Sequence, residues 1–268
     1  MTKSAQVSSQ LAVCPGDDLS RGSAAALAQE LNLSLLPMAT DPRKCASVQA
    51  LLLVFVSGIA LQITGKKAPG PISVDFGTAS MRHRRGAGHN ELLGKAVGIG
   101  KKERLAVLDA TAGLGRDGFV LADLGARVIL AERNPVVAAM LRSGLELARE
   151  STDHWLAGAA GRMTLVPGDA RDLASEQLAD CDVIYLDPMF RERDKRAAVK
   201  KEMALFQFLL QDEPDTNEAL LHWALASPVA RVVVKRPPKA APLAGLAPSH
   251  AIKGKAVRYD VHVLSGLS

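Results

Sequence analysis

Leu105-Ala-Val-Leu-Asp109, followed by Ala-Thr-Ala-Gly113-Leu-Gly115-Arg-Asp-Gly118, reads as a strand closing on an acid, a glycine-rich turn and the start of a helix. The apolar run has the length of a buried strand, and glycines punctuate the chain where it must turn sharply. Working outward, the alternation continues to the C-terminus. Ala126–Ala131 is a second strand, Met163–Val166 a third, Val183–Leu186 a fourth and Ala230–Val234 a fifth, and Arg258–Leu264 closes the series. Helices are expected near Gly118–Leu124, from Asn134-Pro135 to about Arg149, around Lys200–Leu210 and around Asn217–Ala226. Asn134 is a good N-cap, and Pro135 suits the first helical position. Strands joined by helices of this length imply parallel βαβ units, hence a Rossmann-like, doubly wound α/β sheet.

Upstream the pattern differs, and residues 1–75 are expected to form a small α+β unit ahead of a domain spanning 76–268. Leu11–Cys14 is a short strand candidate and Pro15-Gly-Asp-Asp18 a turn. Ser20 or Ser23 can cap a helix running to about Leu33, with Leu27 and Leu31 on one face. Leu51–Val56 and Ile59–Thr64 read as a hairpin about Ser57-Gly58, with a helix through Ser57-Gly58 as the competing reading. Lys66–Pro71 is a breaker-rich linker.

Composition narrows the function. With 268 residues the chain makes one or two domains, and 48% apolar against 23% charged residues excludes disorder and collagen-like fibre. The longest apolar run, Leu51–Val56, is far below the ~18–20 residues that span a bilayer. The start of the chain reaches no sustained apolar stretch of a secretory signal. Cys14, Cys45 and Cys181 are odd in number and widely spaced, which excludes a disulfide framework or a cysteine-rich zinc site and suits a reducing cytoplasm. The six histidines lack H-x-x-x-H spacing, so no metal is expected. The net charge of +5 hides a segregation: residues 82–102, 191–202 and 231–258 carry +5, +3 and +7, leaving −10 elsewhere. Such a division suits a polyanion-binding face, although solvated basic loops produce it too.

In a doubly wound sheet ligands bind beyond the carboxyl ends of the strands. Gly113, Gly115 and Gly118 match G-x-G-x-x-G, and Glu132 follows the second strand where an acid can accept from ribose hydroxyls. Nicotinamide, flavin and S-adenosylmethionine sites share this pattern, and a purely structural glycine turn also satisfies it. Two details separate the ligands. Asp109 ends its strand, and three residues intervene before the first glycine; it would repel a pyrophosphate but could hold the ammonium of a methionine moiety. The fourth strand ends Tyr185-Leu-Asp187-Pro188-Met-Phe190, an acid, a proline that removes a backbone donor and an aromatic. Asp187 can accept from an exocyclic base amine and Phe190 can stack on the base. An Asp capping the next turn and a Phe in the core are the structural alternatives. Cys181 precedes the fourth strand, so a cysteine-dependent mechanism is disfavoured.

Several blocks together resemble one family, the ribosomal RNA small subunit methyltransferase J family. They are Asp-Ala-Thr-Ala-Gly-Leu-Gly-Arg-Asp at 109–117, Glu-Arg-Asn-Pro-Val-Val-Ala at 132–138, Leu-Asp-Pro-Met-Phe at 186–190 and Val-Lys-Lys-Glu-Met at 199–203. Val-Val-Val-Lys-Arg-Pro at 232–237, Val-Asp-Phe at 74–76 and His-Arg-Arg at 83–85 fit as well, so the likeness runs from about residue 74 to 264. The resemblance implies a class I methyltransferase that moves a methyl group from S-adenosylmethionine to N2 of a guanosine in small-subunit ribosomal RNA. It implies cofactor contacts by Arg116, Asp117, Glu132, Arg133, Asp169, Ala170 and Asp187, beside the Asp109, Gly113 and Gly115 read from the strand end. The family often carries small hydroxyl residues where this chain has Asp169-Ala170. Asp187, Pro188 and Phe190 are then the catalytic set. Arg84, Arg85, Arg191, Arg193, Lys200, Lys235 and Arg236 are the expected phosphate contacts. Three other readings remain: an oxidoreductase, a non-enzymatic RNA- or ribosome-binding protein, and a methyltransferase acting on another exocyclic amine.

Overall fold

The computed structural model describes residues 10–38, 40–86, 90–188, 209 and 216–267, and these fall into two units. The first holds the chain up to Val74 together with Arg142–Leu147. Its strands β1 (Leu11–Pro15), β2 (Ser34–Leu35), β3 (Ala50–Phe55), β4 (Gly58–Ile63) and β5 (Ile72–Ser73) form one sheet in the order β2-β1-β3-β4-β5. β1 is buried along its whole length and runs parallel to β2 and β3. Helix α1 (Arg21–Glu30) crosses from β1 to β2 and buries Ala24, Leu27 and Ala28, the i, i+3, i+4 face expected of an amphipathic helix. Leu31, expected on that face, instead terminates the helix. β3 and β4 pair antiparallel about Val56-Ser57, with Phe55 opposite Gly58, so the turn lies one residue earlier than the sequence suggested. Gly58 takes φ +117 as the first residue of the return strand, a conformation other residues rarely adopt.

The second unit begins at Asp75 and holds the larger sheet. Its strands are β6 (Ala106–Asp109), β7 (Arg127–Glu132), β8 (Met163–Pro167), β9 (Val183–Leu186), β10 (Arg231–Arg236), β11 (His250–Lys253) and β12 (Arg258–Val263). The order is β11-β12-β10-β9-β6-β7-β8. β8, β7, β6, β9 and β10 are mutually parallel, as strand–helix alternation requires. β12 runs antiparallel to β10 and to β11. The parallel βαβ units read from the sequence thus end at β10. No helical pattern separates β11 from β12, and a short turn can only return a strand antiparallel. The result is a Rossmann-like doubly wound sheet with an antiparallel end.

The central strands read as continuous apolar runs because both of their faces are covered. On one face Leu108, Ile129, Ile184, Leu186, Val232 and Val234 pack with Leu220, Leu221 and Ala224 of α8 (Asn217–Ala226). The elements that position the site are α2 (Ala79–Gly86), α3 (Asn90–Val97), α4 (Arg116–Asp123), α5 (Pro135–Arg149), α6 (His154–Ala160) and α7 (Ser175–Ala179). Phe119 of α4 stacks on Phe76 at 4.6 Å between centroids and meets Trp155 of α6 edge-on at 5.5 Å. Asn134 caps α5 as read, its Oδ1 accepting from Val136 and Val137. α2 and α3 were not anticipated. Among the described side chains of the polar α2 sequence Met81 alone is buried, so no apolar stripe announces a helix. The helix expected around Lys200–Leu210 lies outside the described residues, Leu209 excepted. Among the described residues no helix is long and apolar enough to cross a membrane.

Candidate active site

Strand order reverses between β6 and β9, the switch point at which an open α/β sheet leaves a crevice. Asp109 closes β6 opposite Tyr185, so Asp187 stands just beyond it on the next strand. The turn after β6 is held from β7. Ala112 donates its N–H to the Ala131 carbonyl, and Glu132 accepts from the backbone of Gly113 and of Asn134, each at 2.8 Å. Gly115 ends the turn at φ +73, and a Cβ there would lie 2.6 Å from Leu141 Cδ1. At Gly118 a Cβ would lie 2.4 Å from Leu130 Cδ2, so this glycine lets α4 approach the sheet closely.

In the first turn of α4, Asp117 gathers the charges of the site. Its Oδ1 accepts from Arg84 Nη2 at 2.7 Å; its Oδ2 accepts from the Tyr185 hydroxyl at 2.6 Å and from Lys235 Nζ at 2.7 Å. Burial pushes the Asp117 carboxyl up, but Lys235 and Arg84 outweigh it and hold the group well below the usual carboxylate range. Lys235 Nζ also reaches Asp187 Oδ2 at 2.7 Å, so a single ammonium bridges the two carboxylates. Burial alone would lower the Lys235 pKa; Asp117 and Asp187 together raise it above its ordinary value. The Asp187 backbone N–H donates to Thr111 Oγ1 at 2.7 Å, which ties the β9 end to the β6 turn. Burial pushes the Asp187 carboxyl up against the pull of Lys235, and the charge of Asp117 adds to that push.

Asp109 differs from both. It is 2% exposed, accepts from the Thr111 N–H at 3.1 Å and makes no ion pair among the described residues. Burial, then the neighbouring Asp117 charge, push its carboxyl up to about 8. A buried acid without its own cation, beside a turn whose glycines keep side chains out of the way, is matched by a cationic ligand and mismatched by a pyrophosphate. The donor set therefore fits the methionine moiety of S-adenosylmethionine.

The remaining expected residues are placed as follows. Arg116 is exposed on the first turn of α4, and Arg133 follows Glu132 and donates from Nη1 to Thr216 Oγ1 at 2.8 Å. Asp169 caps a 3-10 turn and is gripped by Arg171, whose Nη2 lies 2.6 Å from Oδ2; the Arg171 hydrogen bond pulls its pKa down. Ala170 and Pro188 are buried. Arg84 and Lys235, expected on phosphates, are instead spent on Asp117. Arg236 is 7% exposed and donates to the Ala241 carbonyl, which removes it from the solvent-facing set. Arg85 keeps its side chain 56% exposed beside Asp123 and stands over Trp155, as does Arg82. Phe190, Arg191, Arg193 and Lys200 lie outside the described residues. The sequence reading missed Tyr185 and Thr111. The first was findable, because strand periodicity puts residue 185 on the same face as 187.

Comparison with known proteins bears on the same site. A family model described as "Putative SAM-dependent methyltransferase" matches residues 38–264. Ribosomal RNA small subunit methyltransferase J of Thioalkalivibrio sulfidiphilus is 50% identical over 247 residues, covering 91% of this chain and 93% of that protein. The chain belongs to the ribosomal RNA small subunit methyltransferase J family. Its Pseudomonas paraeruginosa member is 47% identical over 236 residues, covering 87% of this chain and 88% of that one. The crystal structure of a SAM-dependent methyltransferase from Neisseria gonorrhoeae superposes with a TM-score of 0.70 at 33% identity, covering 96% and 97% of the two chains. Membership makes this methyltransferase J chain an S-adenosylmethionine-dependent enzyme with a class I methyltransferase fold. The dinucleotide oxidoreductase reading is thereby excluded.

Proposed function

We propose that this chain methylates the exocyclic N2 of one guanosine in small-subunit ribosomal RNA. The observation that carries the site assignment is the bridge Asp117–Lys235–Asp187 at the switch point. When bound, S-adenosylmethionine supplies a methyl group on a positively charged sulfur. Asp109 is the acid that would face its ammonium, Glu132 and the Gly113–Gly115 turn would take its ribose, and Asp169-Ala170 would flank its adenine, with Arg116, Asp117 and Arg133 lining the same crevice.

The amine of guanine is a weak nucleophile because its lone pair is delocalised into the ring. Alignment and exclusion of water can supply much of the acceleration, and no covalent nucleophile is needed. Asp187 does the aligning. Its Oδ2 is occupied by Lys235, while Oδ1 takes no hydrogen bond from a described residue. Oδ1 is thus the acceptor for the amine hydrogen and for the proton the amine loses. Pro188 stiffens the turn and presents no N–H to compete, and Phe190 stacks on the base. Arg85, with Arg191, Arg193 and Lys200, meets phosphates. Aromatic residues are 4% of the chain, too few for broad stacking on single strands, so a folded or assembled ribosomal target is favoured over unstructured RNA.

The test is transfer of labelled methyl from S-adenosylmethionine to small ribosomal subunits and to naked RNA from cells lacking this activity, followed by nucleoside analysis. N2-methylguanosine is expected, with the assembled subunit the better acceptor. Label on a different amine would replace guanine N2, and cofactor binding without transfer would move the substrate elsewhere.

A further inference from the structure

Lys235 and Arg84 stood in the sequence as candidate phosphate contacts, yet neither points a free charge at solvent. The reason for one of them lies in how the contacts divide. Asp117 draws three donors, Arg84, Tyr185 and Lys235, at 2.6–2.7 Å. The Asp187 carboxylate draws one among the described residues, Lys235 at 2.7 Å. Loss of Lys235 would leave Asp117 with a cation and a hydroxyl. It would leave the Asp187 side chain with none among the described residues, although its backbone stays pinned by Thr111.

From this we infer that Lys235 is a positioning residue for methyl transfer: its ammonium fixes Oδ2 of Asp187 and keeps that carboxylate ionised, so that Oδ1 is presented to the acceptor amine. The inference rests on the assignment of Asp187 proposed above. It goes beyond it by giving the acidic limit of the reaction a residue whose ammonium is engaged by two carboxylates. Among the described residues, six titratable or charged groups face Asp187. Lys235 comes from β10, Asp117 from α4, Asp109 from β6, Tyr185 from β9 itself, Tyr259 from β12 opposite Lys235, and Arg84 from α2. Two of the six are carboxyls and two are tyrosines whose hydroxyls burial keeps protonated. Arg84 is committed to Asp117, so among the described residues Lys235 is the cation that acts most directly on the ionisation of Asp187. An opposite charge at this distance lowers a carboxyl pKa by about 1–3 units.

The experiment pairs two variants of opposite sign. K235Q keeps a hydrogen-bonding side chain and removes the charge; it should move the acidic limb of kcat/KM about 1–3 units to higher pH. D117N removes the competing carboxylate and leaves Lys235 wholly to Asp187; it should move that limb to lower pH. K235R keeps the charge and should recover most of the K235Q shift. A merely structural role predicts lower activity at every pH with the limb in place. The same displacements should appear in the carbon-13 carboxyl signal of Asp187, assigned by its loss in D187N and followed without RNA or cofactor. Coincident Asp187 titrations in the wild type and K235Q overturn the inference, as does a K235R curve that matches K235Q. If K235Q does not fold, an Asp187 titration in D117N that is unmoved or displaced upward does the same. Should the wild type fail to methylate RNA while the carboxyl signals move as expected, the substrate reading falls and the role of Lys235 toward Asp187 stands.

Discussion

Replacing Asp109 by Asn should stabilise the cofactor-free protein near neutral pH while weakening its hold on S-adenosylmethionine. The carboxyl is 2% exposed, with one backbone donor and no ion pair among the described residues. In the unfolded chain it titrates near 4; in the folded protein burial and Asp117 push it up to about 8. Below pH 4 both states hold the proton, and the group adds no pH dependence. Between pH 4 and 8 the unfolded chain has released the proton and the folded chain keeps it, so stability falls as pH rises, by about 1.4 kcal/mol per unit. By pH 7 the loss is on the order of 4 kcal/mol. Asp117 has the opposite sign, but its folded value is depressed, so its contribution is lost only below about pH 4 and the two windows do not overlap. Asn at 109 keeps the acceptor for the Thr111 amide and has no proton to lose. Urea denaturation at pH 5, 7 and 8.5 should give a difference between D109N and the wild type that grows with pH. Two curves of equal pH slope would refute the reasoning. A cationic ligand beside Asp109 should also ionise it, so calorimetry in buffers of different ionisation heat should find proton release on cofactor binding at pH 7 in the wild type and none in D109N.

Three further outcomes follow from local geometry. Gly115→Ala places a Cβ 2.6 Å from Leu141 Cδ1 on a backbone at φ +73, and should cost about 2–4 kcal/mol by urea denaturation. Arg85→Ala removes an exposed guanidinium on the basic stretch; affinity for a small-subunit RNA fragment should fall, and the slope of log K against log salt should shrink by about one. Thiol labelling at pH 8 should modify Cys45 well before Cys181. Burial pushes the partly exposed Cys45 thiol up, but hydrogen bonds at Ser47 and Val48 outweigh it and bring the thiol below its usual value, whereas burial pushes Cys181 up to about 11. Peptide mass spectrometry reads the order.

What the sequence displayed was whatever local physics governs. The apolar runs ending at Asp109 and Leu186 had to be buried strands, Asn134-Pro135 had to start a helix, and the Gly113–Gly118 turn left room for a ligand backbone or an approaching sheet. Elements without such a signal stayed hidden: α2 is polar nearly all round, and β11 is a four-residue strand with no buried residue. The charges mark the limit more sharply. Counting along the chain treats each Lys or Arg as facing solvent, so residues 82–102 and 231–258 looked like reserves for a polyanion. Folding spends the central members of those stretches internally. Arg84 reaches Asp117 across 33 residues, and Lys235 reaches Asp187 across 48 and Asp117 across 118. Such pairings are fixed by which strands become neighbours, which no local pattern encodes. They matter because two carboxylates brought this close to a buried third, Asp109, could not all stay ionised without cations, and the chain provides two. Those two hold Asp117 as an anion and pull Asp187 toward one against its burial, while Asp109, with no ion pair among the described residues, is left to exchange its proton for the positive charge of a ligand.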